Sequence, residues 1–285
     1  MRFLALLALA AIPVRAEVLL QDDDGEVLRL DAPAQRLVVL APHLAELMFD
    51  IGAGERVVGA VDWTDTPEAA KRIPRVGDGF RIDIERVIAM QPDAVLAWGG
   101  GTPRAVIETL RRFGLPVAVL VPTDLESIAR HVEWLGRLSG RQAQANAAAN
   151  AFRRELEELR ETYSGDDPVR VFYQINDPLI FTVGGAHIIS EALETCGGEN
   201  VFADLGAGAH AVTLEAVLAR APEVVIVGAE DEALHASASR WKSWPDAERQ
   251  FFVIDAGSIA RPTRRMLEGV RLICEKLEKA RAPGA

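Results

Sequence analysis

From Arg141 to Tyr163 the chain runs for 23 residues with neither Gly nor Pro, and most of them are Ala, Glu, Arg, Gln or Leu. These are strong helix formers, and a helix of that length spans about 35 Å. It is longer than a crossover between strands needs, so it reads as a rigid spine, closed by Ser164-Gly165-Asp166-Asp167-Pro168. On both sides of it short apolar runs alternate with helical stretches. That rhythm builds parallel sheets flanked by helices, so the chain is predicted to be α/β, with two Rossmann-like lobes joined by one long backbone helix.

The domain plan follows. Residues 17–34 read as a β-hairpin turning at Asp22-Asp23-Asp24-Gly25. Residues 35–139 form the first lobe: strands over 36–41, 57–61, 94–98 and 117–121, with helices over 43–51, 84–90, 104–113 and 125–138. Residues 168–283 form the second, with strands over 169–175, 224–227 and 251–254 and helices over 188–195, 214–220 and 263–279. A faint repeat links them. Residues 83–96 overlay residues 213–226 at a constant offset of 130, with Glu85/Glu215, Val87/Val217, Ala89/Ala219, Pro92/Pro222 and Val95/Val225 identical. Any helix–Pro–strand turn accounts for part of this match, but not for a Glu in the same early helical position twice.

Composition narrows the partners. Asp and Glu outnumber Lys and Arg by 42 to 31, a net charge of −11. Such a surface disfavours nucleic acid and anionic membranes, which attract cationic footprints. Residues 1–16 combine Arg2, an apolar run from Phe3 to Ile12 and a Val14-Arg15-Ala16 cleavage signal, so they are expected to be a cleaved signal peptide. Export makes an oxidising compartment the setting for the two cysteines, Cys196 and Cys274. A bridge between them would close a loop of about 80 residues, a constraint worth about 4–5 kcal/mol; two free buried thiols are the alternative.

Enzyme constellations are missing: there is no GxSxG elbow, P-loop or HExxH pair, and the five His are scattered. Gly99-Gly100-Gly101 follows a strand as a phosphate cradle would, but its spacing fits a plain turn better. What stands out is where the aromatics fall. Trp63 and Trp98 follow or end strands of the first lobe, Phe80 sits in a Gly-rich loop, and Phe181 follows the first strand of the second lobe. Ligands of open parallel sheets bind outside the carboxyl ends of the strands, so these side chains are expected at one mouth, where they would hold a flat apolar ligand. Taken singly, each reads as core packing or a hydrophobic staple. Trp134 reads as core, and Trp241 and Trp244 read as a surface turn.

Several stretches carry a resemblance: residues 36–47 (RLVVLAPHLAEL), 58–67 (VGAVDWTDTP), 84–93 (IERVIAMQPD), 97–100 (AWGG), 181–184 (FTVG) and 196–202 (CGGENVF). The chain resembles the periplasmic substrate-binding proteins of the iron-siderophore/vitamin B12 class, and within it the members that feed cobalamin to ABC importers. The resemblance implies two lobes on a single helix that close little on ligand. It implies corrin-stacking aromatics at Trp63, Trp98 and Phe181, and a cation at Arg261 reaching the ligand's polar periphery. It also implies permease-docking carboxylates at Glu85 and Glu215, and a disulfide between Cys196 and Cys274.

Three positions depart from the pattern. Two that often carry Trp in the cobalamin binders fall near Gly79 and Ala209, where Phe80 and His210 stand next door. His43, where a small residue is usual, is either a helix cap or a ligand to cobalt or haem iron. The expected protein is a monomeric periplasmic carrier with no resident cofactor and no catalytic residues, which delivers cobalamin or a related corrinoid to permease subunits of an inner-membrane importer. A haem or ferric-siderophore carrier of the same class is the alternative, and an exported α/β enzyme built on the Gly99–Gly101 loop a remote one.

Overall fold

The structure is a computed structural model that describes residues 17–163, 167–175, 179–229, 241 and 251–281; the expected signal peptide and Trp244 lie outside them. Strands β1 (Val18–Gln21) and β2 (Val27–Leu30) form the antiparallel hairpin. Its acidic turn is not a solvated tip. Asp22 accepts from the Glu26 amide to close the turn and from the Val119 amide of the first lobe, and Asp23 accepts from the Val121 amide and meets His131 Nε2 at 2.7 Å. The hairpin is thereby riveted to a sheet edge whose amides would otherwise lack partners.

The first lobe is built on β3 (Leu37–Val39), β4 (Val57–Ala60), β5 (Ala94–Trp98) and β6 (Val117–Leu120), all parallel, in the spatial order β4-β3-β5-β6. Helices α1 (Pro42–Asp50), α2 (Ile84–Ala89), α3 (Arg104–Arg112) and α4 (Leu125–Ser139) connect and cover it. Helix α5 (Gln142–Tyr163) is the spine. The second lobe contains β7 (Val169–Gln174), β8 (Phe181–Val183), α6 (Ile188–Thr195), β9 (Gly198–Asn200), β10 (Ala209–Ala211), α7 (Leu214–Ala219), β11 (Val224–Ala229), β12 (Phe251–Asp255), α8 (Ala256–Ile259) and α9 (Met266–Arg281). Its main sheet is again parallel, ordered β9-β7-β11-β12, while β8 and β10 pair separately and antiparallel.

Both main sheets therefore read second-first-third-fourth strand, the same winding twice. The offset of 130 carries α2 onto α7 residue for residue. It also carries Gln91 onto Ala221, two non-glycine residues in the left-handed region (φ 47° and 45°) just before a proline. Even the supports repeat. The Asp93 carboxylate accepts from the Arg36 amide in one lobe and that of Glu223 from the Arg170 amide in the other.

Side chains of each sheet are buried on both faces, as parallel sheets require. Leu37, Val39 and Leu96 face a core shared with the hairpin, α1, α4, α5, α6 and α9, while Val38, Val95 and Ala97 face the far layer. That shared core runs through both lobes. A carboxylate reinforces the join: Glu191 on α6 accepts from the Leu125 amide at the start of α4 (2.6 Å) and from Arg160 of the spine (2.8 Å). Cys196, just past α6, is disulfide-bonded to Cys274 of α9, and both are fully buried.

Trp241 corrects the surface reading. It is 1% exposed, packs against Phe172 with ring centres 5.6 Å apart, and donates from its indole to Gln174 Oε1. The C-terminal helix also starts later than its residue pattern predicts: α8 ends at Ile259 and α9 begins at Met266, leaving Arg261 and Thr263 in the connection between them.

Candidate ligand-binding site

In each sheet the winding reverses between the first and third strands, and in open α/β sheets such a switch point opens a crevice at the strands' carboxyl ends. In the first lobe these strands are β3 and β5. Beyond them lies a hollow of about 110 Å³ lined by Leu40, Val61, Trp63, Phe80, Trp98 and neighbouring backbone. It is far smaller than the 300–1,000 Å³ of a site that encloses a ligand, so it works as a platform. A larger hollow, about 520 Å³, lies at the amino end of β4 around Phe49 and Pro74 and contains none of these aromatics.

Trp98 is the floor of the platform. Its indole lies over Gly100 and Gly101: a Cβ on Gly101 would collide with the six-membered ring, and one on Gly100 would come within 2.8 Å of Nε1. The glycine run is thus a bed for an indole, not a phosphate cradle. Thr102 pins the turn by accepting from the Trp98 amide (3.1 Å) while its own amide donates to the Trp98 carbonyl (2.8 Å). Behind the indole stands His43, edge-on with ring centres 5.4 Å apart and planes at 88°. His43 is 5% exposed and Nε2 has no hydrogen-bond partner among the described residues. Burial, with the charges of His131 and Arg261 adding to it, pushes its pKa down to about 3, so the ring is neutral at ordinary pH.

Trp63 and Phe80 stand at the rim, 76% and 75% exposed. Leaving two large rings in water is unfavourable, and covering each would contribute on the order of 2–3 kcal/mol. Phe80 is presented by a tight turn in which Asp78 Oδ1 accepts from the Phe80 and Arg81 amides, between Gly77 and Gly79 at φ 137° and 93°. Those amide bonds hold the Asp78 carboxyl below the usual range. Trp63 adopts φ 64°, a left-handed backbone that costs a bulky residue on the order of 1–3 kcal/mol.

On the second lobe, Phe181 opens β8 and is half-buried opposite Ala211, and His210 bonds the Gly206 carbonyl at 3.0 Å. Neither lines the hollow. Arg261 reaches across from the connection before α9 to Asp65 and to the Trp63 carbonyl. A further interlobe bond is buried: Thr263 donates to Glu46 Oε1 at 2.8 Å. Glu85 and Glu215 are exposed at the second position of α2 and α7, helices capped by the side chains of Asp83 and Thr213. Of these features, the left-handed Trp63 and the Asp65–Arg261 bond have no signal in the sequence.

Among the described residues no group of three or more His, Cys, Asp or Glu could hold a metal ion, and no helix is long and apolar enough to cross a membrane. A profile described as "Periplasmic binding protein" matches residues 37–254. The vitamin B12-binding protein of Vibrio campbellii is 35% identical over 88% of this chain and 92% of its own length, and that of Yersinia pestis (strain Pestoides F) is 31% identical over 98% of each. The crystal structure of the periplasmic vitamin B12 binding protein BtuF of Vibrio cholerae superposes with a TM-score of 0.80 at 32% identity, covering 87% of this chain and 98% of that one. The periplasmic haem-binding protein BhuT, solved with two haems, gives 0.75 at 25% identity over 87% and 99%. On sequence and fold alike, the chain belongs to the periplasmic binding protein family.

Proposed function

We propose that this protein is a periplasmic carrier that captures cobalamin, or a closely related corrinoid, between its lobes and hands it to the permease of an ABC importer. The observation that carries this reading is the platform of Trp63, Phe80 and Trp98 at the switch point, in a chain 35% identical to a vitamin B12-binding protein. Affinity comes from covering rigid aromatic faces with a rigid macrocycle, so little conformational freedom is lost on either side. Phe181 and Arg261 meet the ligand from the second lobe. No bond is made or broken, and the carrier works without a resident cofactor.

Delivery uses Glu85 and Glu215. The repeated helices place one exposed carboxylate in the same position on each lobe, suited to pairing with arginines on two permease subunits. Residues 1–16 direct export and are removed, and the acidic mature protein acts as a monomer. The test is tryptophan fluorescence: cyanocobalamin stacked on Trp63 and Trp98 quenches emission saturably at one equivalent, and an absence of quenching sinks the reading.

Haem is the competing flat macrocycle, favoured by the unpartnered Nε2 of His43. That nitrogen is sealed behind Trp98 and not open to the mouth, and His210 is engaged with Gly206. A haemin complex without an imidazole-ligated Soret band is therefore expected to be weak.

A further inference from the structure

The Trp63 loop is strained yet exposed, and two arginines hold it. Arg75 donates to the Thr64 carbonyl at 2.6 Å from within the first lobe. Arg261 comes from the second lobe, donating from Nη1 to Asp65 Oδ1 at 2.7 Å and from Nη2 to the Trp63 carbonyl at 3.4 Å. A left-handed tryptophan persists only where its surroundings over-determine it, and here part of that restraint crosses the mouth. The Asp65 carboxyl is partly desolvated, yet its bonds from Arg261 hold it below the usual range. Asp65 lies outside the hollow's lining, so it has no place on the aromatic platform itself.

We propose that Asp65 is a positioning residue: with Arg261 it forms an interlobe strut that fixes the backbone of Trp63 and sets the aperture of the mouth before ligand arrives. This rests on the reading of the mouth as the binding site. It also makes a claim about the empty protein that stands apart from the ligand's identity. A simpler role for the pair predicts the opposite sign. If Asp65 only occupied a guanidinium that the ligand needs, removing its charge would free Arg261 and tighten binding.

The test uses Asp65→Asn, Arg261→Ala and the double variant in the mature protein, with Arg75→Ala as a control that loosens the loop from within one lobe. Spin labels at Phe113→Cys and Leu272→Cys, exposed sites on α3's end and on α9, report the interlobe distance without ligand. The strut predicts a broadened or shifted distance distribution in Asp65→Asn and Arg261→Ala, and an unshifted one in Arg75→Ala. It predicts a cyanocobalamin dissociation constant raised about three- to tenfold in Asp65→Asn, the range of a partly exposed charge-assisted pair, and a double variant no worse than Arg261→Ala alone. Distances unchanged in Asp65→Asn overturn the strut whatever the affinity does, as does tighter binding. Wild-type protein that ignores cyanocobalamin defeats the functional reading instead, and the spin-label result still decides the strut.

Discussion

His43 stands edge-on behind Trp98, 5.4 Å from ring centre to ring centre, so the neutral imidazole is a wall for the indole and not a face for the ligand. Its role is consequently legible as stability against pH. Burial lowers its folded-state pKa to about 3, against 6.5 for a solvated histidine. Between those values the unfolded chain takes up a proton that the folded one refuses. Folding stability is therefore undiminished by this group above pH 6.5, and falls by up to about 1.4 kcal/mol per pH unit as pH drops towards 3. His43→Leu should flatten that acid limb in urea melts across the window; identical slopes for both proteins would show that His43 is solvated.

Trp98→Ala removes the platform floor and should weaken cyanocobalamin binding by more than about 1 kcal/mol. Gly101→Ala should weaken it too, because the added methyl displaces the indole from its bed. Titration of both variants checks this, and unchanged affinity in both would move the site elsewhere.

Alanine at both Glu85 and Glu215 should leave ligand affinity intact and reduce transport in cells or in proteoliposomes carrying the importer. Their side chains face solvent on capped helices, so folding has little stake in them. Lost ligand affinity would place them at the mouth.

Replacing Cys196 and Cys274 by Ala should cost about 2–5 kcal/mol in denaturant unfolding. The bond ties α6 to α9 inside the second lobe, so quenching by ligand should survive under native conditions.

Much of this architecture is readable in the residues, because parallel sheets buried on both faces leave continuous apolar runs and the spine leaves a run of helix formers. The offset of 130 proves deeper than the identities that reveal it: it preserves strand order, capped helices and left-handed residues before Pro92 and Pro222. What escapes is whatever depends on distant neighbours. Trp241 looks exposed among Arg240, Lys242 and Ser243, yet the second sheet buries it. The short β8–β10 pair has too few residues for a periodic signal. Arg261 and Asp65 lie 196 positions apart, and only the folded lobes bring them together.

Under the proposed function, the Trp63–Phe80–Trp98 platform holds a corrinoid. Calorimetric titration of the mature, ligand-free protein with cyanocobalamin, with haemin as the parallel titrant, tests it most directly. Saturable one-to-one cyanocobalamin binding with a sub-micromolar dissociation constant, and far weaker haemin binding, is the expected result. Tight haemin binding beside silence towards cyanocobalamin would contradict it.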